Sequence, residues 1–185
     1  MILRRYVAAA AALCAFGPVA ASAQEKGRTG IFMGYPSLGL IWHASETVAV
    51  RPEISFSHAS TETDFSESDN DSVGVGVTLL FYMAKRDNAA AYFAPRYAYS
   101  HTSVESEVTA VGPVTAKTTS TTSQLSASFG AQYWMGKRFS VFGEAGLSYT
   151  TGEGKTKGSP STFAVSPSDL TAIATRASVA AVFYF

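Results

Sequence analysis

The chain ends in Arg176-Ala-Ser-Val-Ala-Ala-Val-Phe-Tyr-Phe185, an alternating stretch that runs into a terminal aromatic residue. Successive side chains of a β-strand point to opposite faces. One face of this stretch would carry Arg176, Ser178 and Ala180, and the other would carry Ala177, Val179, Ala181, Phe183 and Phe185. The stretch therefore predicts a β-strand with one face suited to an apolar environment and one suited to a crowded, polar interior.

Five further segments repeat this alternation, around residues 48–57, 73–81, 91–100, 125–135 and 141–150. In each segment, aliphatic or aromatic residues occupy one face and small or polar residues the other, although Pro52 interrupts the first. None of the segments has helical periodicity. The third and fourth are long enough to cross a bilayer as tilted strands, for which about 9 to 11 residues suffice. Six strands are therefore evident, counting the terminal one.

At its last strand the chain resembles bacterial outer-membrane β-barrel proteins of the small OmpA/OmpX type. In that family the C-terminal strand, here with Phe183 and Phe185, is thought to be read by the barrel assembly machinery. The resemblance covers the chain in its architecture. It implies an all-β fold, an antiparallel up-and-down transmembrane barrel, in the outer membrane of a Gram-negative-type bacterium. It also implies contact with outer-membrane lipids and lipopolysaccharide, and a monomeric state.

The connections alternate in length, as expected for such a barrel. Lys85-Arg86-Asp87-Asn88, Gly136-Lys137-Arg138 and His43-Ala44-Ser45-Glu46 predict short periplasmic turns. The polar segments 60–71, 106–118 and 152–169 predict long extracellular loops. If both ends of the barrel domain are periplasmic, the number of strands must be even, and this requires two short strands between Gly30 and His43. We expect a hairpin at Tyr35-Pro36-Ser37 to join them, because proline presets a turn dihedral. We therefore predict eight strands.

The first residues have the pattern of a secretory signal peptide. Two arginines lie within Met1 to Arg5, a mostly apolar stretch follows, and Ala21-Ser22-Ala23 is a small-residue cleavage site. We expect a signal peptide over residues 1–23, cleaved after Ala23, and one barrel domain over 24–185. A retained helical anchor would need about 20 apolar residues, and Leu13 before Cys14 is not the small residue of a lipoprotein signal.

Cleavage would leave a chain with few of the features that catalysis, metal binding or nucleic-acid binding requires. It removes the single cysteine, and with it disulfides and thiol catalysis. It also removes two of the 14 basic residues, leaving 12 against 14 acids and a net charge of −2. No basic field for nucleic acid is present, and no pattern predicts a cofactor or a metal centre.

The inner faces of the predicted strands carry a set of charges. These are Arg51, Glu53, Arg96, Glu144 and Arg176, with Gln132 alongside. Burying an isolated charge is costly, so we expect the charges to form pairs between strands. Two interpretations remain open. The charges form a plug of salt bridges in a narrow barrel, whose interior is just wide enough for side chains, or they line a gated, selective pore.

Two outer segments suggest further chemistry. Residues 61–71 hold five acids and no base, which could bind a divalent cation or form a solvated loop. His101, Ser103 and Glu105 alternate on one face, the residue types of an acyl hydrolase such as the lipid A 3-O-deacylases. However, residues spaced i, i+2 and i+4 lie about 7 Å apart, which is poor geometry for a nucleophile and its base, and His58 could only supplement them.

Aromatic residues bear on the choice between membrane and soluble barrels. Tyr97, Tyr99, Tyr133, Tyr149 and Tyr184 lie near strand ends, where a bilayer interface favours them. The alternative is a soluble β-sandwich or lipocalin-like barrel, in which the inward face would be the apolar one. We predict a non-enzymatic outer-membrane barrel with a structural or surface-interaction role. A narrow pore is the alternative, and a lipid-modifying enzyme is the third interpretation.

Overall fold

A computed structural model describes residues 26–35, 37–63, 66–108, 114–159 and 166–185. The predicted signal peptide 1–23, its cleavage after Ala23 and Cys14 lie outside the described residues, and so does Pro36. None of the described residues belongs to a helix long and apolar enough to cross a membrane.

Eight antiparallel strands form a closed barrel in which each strand is bonded to the next and β8 is bonded back to β1. They are β1 (Thr29–Gly34), β2 (Ser37–His43), β3 (Val48–Thr63), β4 (Ser66–Arg86), β5 (Ala89–Val108), β6 (Val114–Trp134), β7 (Phe139–Ser159) and β8 (Ser166–Tyr184). The prediction of an all-β, eight-stranded up-and-down barrel is confirmed. The short pair expected between Gly30 and His43 is β1 and β2.

The strands are staggered around the barrel. Successive residue pairs can be followed once around the barrel, starting from Val182 on β8. They pass through Phe32, Gly39, Glu53, Gly76, Ala98, Gln124 and Thr150 and end at Ala172 on β8. Val182 and Ala172 are ten residues apart, so the stagger of the barrel is ten residues. For eight strands about 4.8 Å apart, this stagger corresponds to a tilt of about 40°. Each residue then adds about 2.5 Å of height, and the interior is narrow enough to be filled by side chains.

The outer wall carries a continuous apolar belt. We use this name for the outward apolar residues that extend from Met83 to Val73 on β4 and over matching stretches of the other strands. Its exposed members include Leu40, Trp42, Phe56, Phe129, Leu147, Ile173, Val179 and Phe183. The buried residues face inward, and many are polar or charged. This sidedness is the reverse of that of the soluble barrel considered as an alternative.

The predicted long loops are wrong in their secondary structure. The described residues of 60–71, 106–118 and 152–169 belong to the ends of long strands, which form three hairpins above the apolar belt. These strand ends are rich in Ser, Thr and charged residues on both faces, and this lack of alternation led to the prediction of loops. Where water lies on both sides of a barrel wall, the strand needs no apolar alternation, so the pattern disappears while the backbone pairing continues.

Two single residues also differ from expectation. Pro52 does not end a strand, because β3 continues through it and Pro52 lies opposite Val77. Tyr184 does not lie at an outer boundary, since it faces inward and is fully buried. Its parity with Val182 and Ala180 places it on the inner face. Tyr97, Tyr99, Tyr133 and Tyr149 face outward, as predicted, and are about half exposed.

The barrel wall is low at the β1–β2 hairpin. β1 ends at Gly34, opposite Ala180 of β8, and β2 begins at Ser37, opposite Ser55 of β3. Above these partners β3 and β8 both continue upward, with no described strand paired between them. We call this opening the lateral notch. It separates the upper parts of β3 and β8 by the width of the two missing strands.

Gly130 tests how tightly the interior is filled. A Cβ on Gly130 would lie 2.6 Å from the ring carbon Cε2 of Tyr92, which is fully buried. We expect Gly130→Ala to reduce the free energy of unfolding by about 1–3 kcal/mol through overpacking. Gly143→Ala on the neighbouring strand is the control, because its Cβ would meet nothing closer than 4.0 Å. Denaturant unfolding in detergent measures both, and equal losses would contradict the prediction.

Candidate functional site

The centre of the barrel holds a buried ion pair between strands β3 and β7. Nη1 of Arg51 donates to Oε1 of Glu144 at 2.8 Å, and Nη2 donates to Oε2 at 3.2 Å. Both side chains are almost completely buried. The paired geometry matches the planar guanidinium to the carboxylate, which makes this one of the stronger arrangements that a charge pair can adopt.

Neutral groups complete the surroundings of this pair. Tyr92 on β5 donates to Oε1 of Glu144 at 3.0 Å. The Arg51 guanidinium lies over the neighbouring rings of Phe32 and Phe142, 5.0 and 4.7 Å from their centroids. Residues from strands β1, β3, β5 and β7 therefore meet at one level, and together they fill the cross-section of the barrel.

A second ion pair lies above the first. Arg96 on β5 pairs with Glu53 on β3, and Nη1 of Arg96 also donates to Oε1 of Gln124 at 2.8 Å. Arg176 on β8 is different. Among the described residues, its one hydrogen bond is a weak one, from Nη1 to Oγ of Ser126 at 3.5 Å. The structure thus brings all five predicted charges inside the barrel and pairs four of them.

A layer of buried, hydrogen-bonded side chains lies below the charges. Gln132 accepts a hydrogen bond from Tyr82 at 2.7 Å, and its Nε2 donates to Ser140 at 2.7 Å and to Tyr184 at 2.9 Å. The His43 ring lies 3.3 Å from the Tyr184 hydroxyl. Sequence reasoning placed Gln132 inside but missed its partners. Tyr82 and Tyr92 lie an even number of residues from inward-facing side chains of their own strands. This alternation is the feature of the sequence that could have placed both rings inside.

Above the charge pairs is an open cavity of about 490 Å³. We call it the vestibule. Its lining includes Glu53, Arg96, Gln124, Ser148 and Arg176, together with Gly34, Tyr35 and Ser37 from the low β1–β2 wall. The floor of the vestibule is the layer that contains Arg51 and Phe142. The lateral notch therefore opens from the side into the same cavity that the arginines line.

The candidate hydrolase residues lie on the outer surface, just above the apolar belt. A groove of about 340 Å³ there is lined by Phe56, His58, Asp71, Val73, His101 and Ser103. His58 lies opposite Asp71, and Asp71 lies opposite Ser103, so the carboxylate stands between the histidine and the serine. Glu105 pairs with Lys117 instead. Among the described residues, no serine hydroxyl bonds a histidine ring, so the groove lacks an assembled nucleophile and base.

The described residues of the acidic segment 61–71 lie on β3 and β4, near the ends where the two strands pair with each other. Its described carboxylates, Glu62, Glu67, Asp69 and Asp71, are spread along these strands. In the part of the chain that the structure describes, no group of three or more histidine, cysteine, aspartate or glutamate residues could hold a metal ion.

Comparison with solved structures identifies similar folds. The chain is similar to Acinetobacter baumannii CarO, with a TM-score of 0.51 and 16% identity over 86% of this chain and 98% of that one. It is also similar to A. baumannii CarO2, with a TM-score of 0.54 and 13% identity over 85% and 97%. A major outer membrane protein from Thermus thermophilus gives a TM-score of 0.59 and 10% identity over 85% and 98%.

No protein-family model and no curated protein matches the sequence. At these identities the likeness concerns the fold alone. It matches the closed barrel described above to the folds of these proteins, one of which is a major outer membrane protein.

The central ion pair gives a test of the network. Arg51→Met leaves Glu144 buried without its partner, and we expect it to reduce the free energy of unfolding by about 3–5 kcal/mol. The double variant Arg51→Met, Glu144→Gln removes both charges and should lose much less than the two single changes combined. Lys117→Met, which breaks the exposed pair with Glu105, serves as the control with a loss below about 1 kcal/mol. Additive effects at Arg51 and Glu144 in denaturant unfolding would contradict the pairing.

His58 gives a second test, at the edge of the outer groove. Nδ1 of His58 lies 2.7 Å from Oδ1 of Asp71, and this hydrogen bond and the nearby carboxylate charge raise the pKa of His58 above its ordinary value. The pair therefore stabilises the fold at low pH, and its contribution is lost as the pH rises through the raised pKa. Asp71→Asn should lower the pKa of His58 in a histidine NMR titration, whereas Asp69→Asn should lower it less. An unchanged pKa in Asp71→Asn would show that the pair does not form.

Proposed function

We propose that the protein is a non-enzymatic outer-membrane β-barrel that is closed to solutes and supports three long hairpins outside the cell. The observation that carries this proposal is the apolar belt around a barrel whose interior is polar and charged. A soluble protein would bury such apolar side chains, whereas a lipid-facing barrel requires them outside.

The dimensions of the belt support a membrane location. On β4 the outward apolar residues run from Val73 to Met83. Ten residues at a tilt of about 40° span about 25 Å, which is the height of the lipid-facing band of outer-membrane barrels. Tyr99 and Tyr149 lie near the outer edge of the belt and Tyr133 near the inner edge, where aromatic rings with polar tips favour a bilayer interface.

The filled interior argues against the alternative of a narrow pore. The Arg51–Glu144 pair, Tyr92, Phe32 and Phe142 occupy one level, and the Gln132 layer lies below it. Each charge in the lower pair already has its partner, so a passing ion would have to replace strong, buried contacts. These layers are better suited to cross-linking the barrel than to conduction.

The hairpins are the part of the molecule available for surface interactions. β5 continues for nine residues beyond Tyr99, and β7 continues for ten beyond Tyr149. At about 2.5 Å of height per residue, these strands extend roughly 20 to 25 Å beyond the belt. They are rich in Ser and Thr on both faces, and they carry Glu105, Lys117 and other exposed charges. The expected partners are outer-membrane lipids and lipopolysaccharide, with the barrel assembly machinery reading Phe183 and Phe185.

We expect the refolded protein to migrate differently before and after boiling, and only after refolding in detergent. In planar bilayers it should give no steady conductance. The variant Tyr92→Ala, Gln132→Ala, Phe142→Ala removes side chains from both the central level and the layer below it and should conduct, which provides the positive control. Stable folding in detergent-free buffer would contradict the proposed membrane location. Steady conductance of the wild-type protein would favour the narrow pore.

A further inference from the structure

We propose that the vestibule binds the anionic head of a single-chain amphiphile, such as a fatty carboxylate or an alkyl phosphate, whose hydrocarbon chain leaves through the lateral notch. This inference goes beyond the closed scaffold described above, but it relies on the proposed membrane location. Three features of the described residues carry it, namely an excess positive charge, the cavity and the side opening.

The charge balance inside the barrel is uneven. Arg51 pairs with Glu144 and Arg96 pairs with Glu53, so Arg176 adds one positive charge without a carboxylate partner among the described residues. Placing a charge in a partly buried site is costly unless an opposite charge or strong hydrogen bonds compensate for it. The guanidinium provides several N–H donors and is suited to carboxylate or phosphate oxygens. The ligand that balances the site is therefore an anion.

The cavity has the size and the lining for such a head group. Arg176 and Arg96 both line the vestibule of about 490 Å³, together with the polar side chains of Gln124, Ser148 and Ser178. Its floor is closed by the Arg51 layer, so an anion entering the vestibule would remain there rather than pass through. The lining provides the guanidinium of Arg176, which has no carboxylate partner among the described residues, part of the guanidinium of Arg96, and hydroxyl and amide donors. It also contains the carboxylate of Glu53, whose charge is balanced by Arg96.

The lateral notch distinguishes an amphiphile from a free anion. β1 pairs with β8 only up to Ala180, whereas the apolar belt on β8 continues to Ile173. These seven residues correspond to about 17 Å of height at a tilt of about 40°. Because β1 and β2 are missing from the wall there, the upper parts of β3 and β8 stand about three strand spacings apart, or roughly 14 Å. On β8 the opening therefore occupies about the outer two-thirds of the belt, whereas on β3 it begins at Ser55, with only Phe56 of the belt above it.

The rim of the notch is apolar on its outer side and polar on its inner side. Phe56 on β3 and Val179 and Ile173 on β8 face outward and are 65%, 76% and 75% exposed. Arg176 faces inward from the same stretch of β8. Irregular or unpaired backbone at membrane depth is tolerated where it lines a polar cavity, and here β8 lines the vestibule. A head group inside and a chain outside fit these two surfaces.

The test uses the mature chain refolded in a zwitterionic detergent, with NMR signals of the arginine Nε–H groups and of methyl groups. Stearate should shift the Arg176 signal saturably, and acetate and inorganic phosphate should do so with at least about tenfold weaker affinity. Arg176→Gln should weaken stearate binding about tenfold, since one charge-assisted contact is lost. Arg176→Lys should retain part of the affinity, and Arg86→Gln, at the far end of β4, should not change it.

A stearate that carries a nitroxide on its chain locates the hydrocarbon. It should broaden the methyl signals of Ile54 and Ile173 beside the notch more than that of Leu125 on the far wall. Equal broadening would mean that the chain only dissolves in the detergent, and this would overturn the proposal. If acetate or phosphate bound as tightly as stearate, the vestibule would be a site for free anions, and the proposal of an amphiphile would be wrong. If the Arg176 signal did not shift with any of these ligands, the vestibule would not bind an anion at all. The outcome is independent of conductance, which tests the closed lumen.

Discussion

The closure of eight strands with a stagger of ten residues is the constraint on which the rest of this structure depends. It fixes the width of the interior, which below the vestibule is occupied by buried side chains. Inward charges must therefore find partners on other strands. Arg51 and Glu144 meet because the stagger brings β3 and β7 to face each other across the barrel at the level of Tyr92.

The same closure reverses the usual placement of polar and apolar residues. Apolar side chains such as Phe129 and Leu147 lie outside and are well exposed, while Arg51, Glu53 and Gln132 are buried. Stability inside then depends on satisfied polar contacts, because each unmet group in the narrow interior would carry a large desolvation cost. Several of the described residues depart from this rule. Nδ1 of His43, Nε of Arg51, Oε2 of Glu53 and Nε1 of Trp134 are buried without a hydrogen-bond partner. Arg176 faces the vestibule without a carboxylate partner, at the level where the wall is interrupted.

The alternation of inward and outward residues along each strand explains how much of the structure could be predicted from the sequence. The alternation places each residue on the inner or outer face, and this identified Arg51, Glu53, Arg96, Glu144 and Arg176 as a set. The same rule applied to Tyr184 would have placed it inside, where it lies. The hairpins above the belt could not be recognised from alternation, because a strand with water on both faces has no reason to alternate.

The sequence alone determined the strand faces, the strand number and the inner charges, because the period of two is a local property of the backbone. Only the tertiary structure decided which charges pair, since partners such as Arg96 and Glu53 are set by the stagger between strands and not by their spacing in the chain. It also decided the lateral notch. The shortness of β1 and β2 can be read from the chain, but the gap exists only because β3 and β8, far apart in sequence, rise on either side of them.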